Sequence, residues 1–158
     1  MNDFPSLRAI PKQVELINGN SCIYSAMYTE RDYPKFLDIF HDAEFLSVSW
    51  SRSSFEARLL LADRSERVVK IQEIYDFVLF SLKKKNTLEG IYFESISEKN
   101  VREIVEEFRK LSFGVALLGN IEEIERYILT KCYELIVFEP SEGAGILVLA
   151  KRNCLHVE

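Results

Sequence analysis

The sixteen residues from Leu135 to Ala150, LIVFEPSEGAGILVLA, decide how this chain is expected to fold. Leu135, Ile136, Val137 and Phe138 are apolar without a break, where a strand with one wet face would alternate. A strand apolar on both faces belongs to a sheet covered on both sides, which reads as parallel strands joined by helical crossovers. Pro140 to Gly145 then turns the chain, and Ile146 to Ala150 reads as an antiparallel edge strand. Gly143-Ala144-Gly145 lies between two apparent strands and reads as a hairpin loop. A nucleotide fingerprint would instead join a strand to a helix, and the Lys-Ser/Thr pair of a phosphate-binding loop is missing.

Working back from this stretch, strands and helices alternate. Asn120 and Glu123 have capping-box spacing ahead of Ile121, Ile124 and Ile128, and Val115 to Leu118 reads as a buried strand. Val101, Ile104, Val105, Phe108 and Leu111 form a helical stripe opened by Ser97 or Asn100, and Leu88 to Phe93 is a strand. Asp63 and Glu66 suggest a second capping box. After it Val68, Ile71, Ile74, Tyr75, Val78 and Leu82 fall at helical spacing, so a helix is expected there. Lys83, Lys84 and Lys85 would occupy its last turn, where the helix dipole favours cations.

Phe55, Ala57, Leu59 and Leu61 alternate with Glu56 and Arg58, which favours a strand, although Phe55, Leu59 and Ala62 also fit one face of a short helix. Phe45 to Trp50 alternates apolar residues with Ser47 and Ser49 and reads as a strand. Thr29 or Asp32 caps a helix that holds Pro34 in its first turn, aligns Phe36, Leu37, Phe40 and Ala43, and ends near Asp42. Asn18-Gly19, between Val14 to Ile17 and Ser21 to Met27, signals a hairpin. Residues 1–13, with Pro5 and Pro11, read as an irregular arm.

The expected architecture is therefore one α/β domain over residues 1–158. It would have a mainly parallel open sheet, helices on both faces and one or two antiparallel edge strands. A two-layer α+β arrangement is the alternative, favoured if Phe45 to Ala62 forms a hairpin.

Composition narrows the function classes. With a net charge of -5, nonspecific binding to nucleic acid would need a local patch, and Lys83 to Lys85 is the one basic run. The three cysteines, Cys22, Cys132 and Cys154, form an odd set without a CxxC pair, which reads as a reduced, cytoplasmic protein. The first residues resemble neither a signal peptide nor an anchor, and no run approaches the ~18–20 apolar residues of a membrane span. No membrane association is expected. Scarce glutamine beside abundant Glu, Lys and Arg is a bias seen in proteins of hot environments.

Ligands of open parallel sheets gather at the carboxyl ends of the strands. That rule selects Arg52, Glu94, Asn120 and Glu139 as candidate ligand-binding residues, with Ser51, Ser95, Gly119 and Ser141 beside them. Glu94 and Glu139 could hold a metal or work as acid and base, Arg52 could pair with an anion, and the helix opening at Asn120 could offer N–H groups. Turns and helix caps select the same residue types. His41 and His156 have no partners at metal-site spacing, and no GxSxG elbow or Cys-His pairing marks a nucleophile. No catalytic residue and no cofactor is assigned.

From Leu88 onward, strand, capped helix and strand lead to Leu135-Ile136-Val137-Phe138-Glu139, a hydrophobic strand ending in an acid. This resembles the core of the RecA-like ATPase superfamily, and is similar to KaiC-like domains lacking the phosphate-binding loop. After Ser21 to Met27 the chain reads Tyr28-Thr29-Glu30-Arg31, without the family's glycine-rich loop or lysine. The resemblance thus implies a scaffold for binding or signalling rather than ATP hydrolysis. The expectation is a nonenzymatic regulatory or protein-interaction domain that self-associates as a homodimer, with an edge at Ile146 to Ala150 able to extend the sheet into a partner. The alternative is a small-molecule or nucleotide-binding protein, or a weak metal-assisted hydrolase, using Arg52, Glu94, Asn120 and Glu139.

Overall fold

Short runs rich in Val, Ile, Phe and Tyr form eight strands in the computed structural model, which describes residues 39–112 and 117–158. They are β1 (Glu44–Trp50), β2 (Ser54–Leu60), β3 (Glu66–Gln72), β4 (Ile74–Phe80), β5 (Thr87–Ser95), β6 (Tyr133–Glu142), β7 (Gly145–Lys151) and β8 (Leu155–Val157). Two helices, α1 (Val101–Leu111) and α2 (Ile121–Thr130), separate β5 from β6. One sheet holds all eight strands in the order β4-β7-β6-β5-β1-β2-β3-β8. Every neighbouring pair is antiparallel.

The sheet curls onto itself. Neighbouring strands lie about 4.8 Å apart, so β1 and β4, four places apart, would be roughly 19 Å apart in a flat sheet. Instead the rings of Trp50 and Phe77 are 5.3 Å apart, and Phe55 of β2 packs on Phe138 of β6 at 5.8 Å. The inner core joins Phe55, Ala57, Leu59, Val69 and Ile71 to Leu88, Ile91, Ile136, Phe138, Ile146 and Val148. A second core lies on the outer face of β4, β6 and β7. There Ile104, Val105 and Phe108 of α1 and Ile124 and Ile128 of α2 cover Val78, Leu135, Val137, Leu147 and Leu149.

This packing overturns the expected mainly parallel α/β sheet. Strands β6 and β7 are apolar on both faces because helices cover one side and the other half of the curled sheet covers the other. That arrangement needs no parallel strand. Residues 146–150 are accordingly not an edge: β7 lies between β4 and β6 with its apolar residues fully buried. The fold of the described residues is a mostly antiparallel sheet with α1 and α2 packed on one face, and the hairpin on which the alternative turned does form, as β1 and β2.

The helix expected after Asp63 is also replaced by strands. Val69 and Ile71 of β3 enter the inner core, and Val78 of β4 faces the helices. Glu73, at φ 48°, breaks the run between them. Asp63 serves a hairpin turn, accepting from the N–H of Ser65 at 2.9 Å and its hydroxyl at 2.6 Å. Lys83 to Lys85 therefore lie in the β4–β5 loop and not on a helix end.

Other expectations fit. Residues 55–60 lie in β2, with Phe55, Ala57 and Leu59 buried. Asn120 caps α2, its side chain accepting from Glu122 and Glu123 N–H groups at 2.9 and 3.2 Å. The helix through Phe40 ends where Asp42 turns to φ 61°, with Ala43 N–H bonded to Phe40 O at 3.0 Å. Leu117 and Leu118, expected in a strand, lie in the approach to α2, while residues 115–116 fall outside the described residues. So do the expected arm, the Asn18-Gly19 hairpin and the start of the first helix. Cys154 is a free thiol. Among the described residues no helix is long and apolar enough to cross a membrane.

Candidate functional site

Where the two halves of the sheet meet, the pairing between β1 and β5 is reduced to Glu44 opposite Thr87 among the described residues. Register extends this pair into a row, because Leu60 lies opposite Glu44 and Glu142 lies opposite Thr87. Directly opposed residues share a face, so Glu44 and Glu142 flank Thr87 with their backbones about 10 Å apart. The row lies in a cleft of about 470 Å³, also lined by Asp42, Leu61, Ala62, Arg64, Lys85 and Ser141.

Each contributor is held by local chemistry. The left-handed turn at Asp42 is tied to β5 by Asp42 N–H to Leu88 O at 2.9 Å and Leu88 N–H to Ala43 O at 2.8 Å. Arg64 stands at φ 70° in the β2–β3 turn, whose ends are closed by Leu61 N–H to Ser65 O at 2.8 Å. The hydroxyls of Thr87 and Ser141 bond to each other at 2.8 Å. Asn86 joins three segments at the rim. Its Oδ1 accepts from Lys83 N–H and Ala144 N–H, both at 2.9 Å; its Nδ2 donates to Lys83 O at 2.7 Å; and its carbonyl accepts from Phe45 N–H at 3.0 Å. Gly143, at φ 80°, leaves room for this, since a Cβ there would come within 2.4 Å of Asn86 Oδ1 and 2.5 Å of Lys85 O.

Glu44, Arg64, Lys85 and Glu142 make no ion pair among the described residues, and Asp42 meets only His41 Nδ1, at 3.1 Å. The cleft thus presents both signs of charge around a pair of hydroxyls. Among the described residues no group of three or more His, Cys, Asp or Glu side chains is gathered as metal ligands.

The residues selected by the parallel-sheet rule lie in four different places. Arg52 is exposed in the β1–β2 turn, beside the 2.7 Å Ser51–Ser54 hydroxyl contact, and Asn120 caps α2. Glu94 lies opposite Leu135 and Glu139 lies opposite Gly90, so antiparallel pairing puts about 13 Å of strand between them. Of their neighbours, Ser141 does reach the cleft. Glu44, Arg64 and Asn86 carried no motif that sequence reasoning could use; their meeting depends on register and turn geometry.

Two buried acids stand apart from the cleft. Glu94 is 7% exposed, with Oε1 accepting from Asn100 Nδ2 at 3.2 Å and Oε2 buried without a partner. Glu134 is 4% exposed and accepts from Asn153 N–H at 3.4 Å. Burial is the main cause that pushes each carboxyl up to about 7. On the helix-covered side, Tyr75, Tyr127 and Tyr133 stack with centroids 5.2 to 6.0 Å apart, and burial raises the Tyr133 hydroxyl further than its neighbours do.

Comparison of the chain with protein-family models, curated proteins and solved structures gives no match.

Proposed function

We propose that this chain is a nonenzymatic binding domain whose cleft takes a small polar ligand carrying both a cationic and an anionic group. The carrying observation is the set of charges around the row Glu44, Thr87 and Glu142, with Arg64 and Lys85 facing the same space and left without protein partners among the described residues. A ligand with an ammonium end would meet the carboxylates, and its acidic end would meet Arg64 or Lys85. Binding is favoured over catalysis by the lining chemistry: it includes neither histidine nor cysteine, and the two hydroxyls bond to each other rather than to a base.

Residues 146–150 offer no edge to a partner, because β7 is an interior strand.

Thermal denaturation of the full chain against amino acids, short peptides, polyamines, dicarboxylates and nucleotides tests the reading. A zwitterion at a hundred times its Kd should stabilise by about 2.7 kcal/mol, and Arg64→Ala or Glu44→Gln should weaken that response. Stabilisation by nucleotides alone, or a zwitterion response indifferent to both substitutions, would reject the cleft as the site.

A further inference from the structure

The loop between β4 and β5 puts one exposed aliphatic side chain beside three exposed cations. Leu82 is 70% exposed, and Lys83, Lys84 and Lys85 follow it, with no acid within ion-pair distance among the described residues. The loop is built to stay this way. Ser81 holds φ 56°, and the Phe80 ring lies so close over Gly145 that a Cβ there would come within 2.3 Å of it. Asn86 binds both the N–H and the carbonyl of Lys83 and ties them to Ala144. In this stapled loop the Leu82 side chain stands mostly in water, which is unfavourable for an aliphatic group.

We infer that residues 82–85 form a contact for an anionic phospholipid surface, with Lys83 and Lys84 meeting headgroup phosphates and Leu82 entering the boundary with the acyl chains. Lysines near such a surface are attracted within a Debye length, about 8 Å at physiological salt, which suits a projecting loop on a protein of net charge -5. An extended polyanion such as nucleic acid would lie along more of the acidic molecule, and it would give Leu82 nothing apolar to enter. A lipid interface rewards both halves of the motif. The contact is weak and reversible, since even a whole myristoyl chain gives marginal membrane binding alone. It does not rest on the cleft's proposed ligand; Lys85 belongs to both surfaces, and the substitutions below leave it in place.

Co-sedimentation of the full chain with vesicles of phosphatidylcholine, with and without phosphatidylglycerol, tests this at low salt. The expected result is binding that requires phosphatidylglycerol and disappears as salt is raised. Lys83→Gln with Lys84→Gln should weaken it by roughly 25-fold, about fivefold per lysine. Leu82→Ser should weaken it several-fold, and neither variant should change the thermal unfolding midpoint by more than a degree or two, since both sites are exposed. Equal partition onto both vesicle types overturns the inference, as does binding that ignores these substitutions. Lysine-dependent binding to single-stranded DNA without binding to vesicles would assign the loop to a different polyanion and overturn the lipid contact.

Discussion

The rings of Phe55 and Phe77 lie 5.3 Å apart although their strands stand five places apart in the sheet. Phe77 also touches Trp50 at 5.3 Å, so this residue of β4 closes the curl against both β1 and β2. The backbone supports the closure where Ile74 N–H donates to Ser53 O at 3.1 Å.

Phe77→Ala should therefore loosen the closure as well as lower stability. Phe77 is only partly buried, so a loss of about 2–3 kcal/mol is expected, below the range for a fully buried phenylalanine. The chain has one tryptophan, and its packing on the Phe77 ring gives it a fixed asymmetric environment, so near-UV circular dichroism reports on the same contact. Trp50 is 62% exposed and its emission is already that of a solvated indole, so the change is expected in the near-UV dichroism, which should weaken in the variant. An unchanged spectrum in folded Phe77→Ala would mean that the ring does not hold the two halves together.

At the cleft rim, Gly143→Ala meets both a left-handed φ of 80° and a Cβ 2.5 Å from the Lys85 carbonyl. Relief requires moving the Asn86 staple, at a cost on the order of 1–3 kcal/mol. Urea denaturation measures the loss. A variant as stable as the parent would show that the β4–β5 loop yields freely at this point.

Glu134 makes stability depend on pH in a defined direction. Its folded pKa, pushed up to about 7, lies above the ordinary value of 4.5, so the folded state holds more protons than the unfolded state between these values. Stability should fall as pH rises from 4.5 to 7 and level off above. Glu94 acts with the same sign. At pH 8, Glu134→Gln should exceed the parent by on the order of 2–3 kcal/mol and flatten the profile, while keeping an acceptor for Asn153 N–H. Arg152 opposes the gain because it favours the ionised carboxyl. Denaturation at pH 5 and pH 8 decides the matter, and a variant with the parent's slope would contradict this assignment.

Asn120→Ala should cost about 1 kcal/mol through two lost capping bonds, the second helix fraying from its first turn. Hydrogen exchange at the Glu122 and Glu123 amides should quicken while protection in β6 stays. Loss of protection in β6 as well would mean that this cap supports the sheet and not the helix alone.

Much of the local structure was legible in the sequence. The two described helices, the strands through Leu59, Ile91 and Ile136, and the hairpin at Gly143 follow from spacing, β-branched residues and turn chemistry. The segment from Val68 to Leu82 misled because Ile71, Tyr75, Val78 and Leu82 fit a helical stripe while the same run is dense in β-branched and aromatic residues. An isolated chain segment offers no means of choosing between the two patterns. Pairing with β7 and with β2 makes the choice.

The sequence by itself determined which residues are apolar and where the chain can turn, because side-chain chemistry and φ preferences are local. The tertiary structure alone decided strand direction, order and the site. Leu135 to Phe138 would be equally dry between two helical layers or between helices and the far half of the same curled sheet. Glu44, Thr87 and Glu142, far apart in the chain, become neighbours only through register.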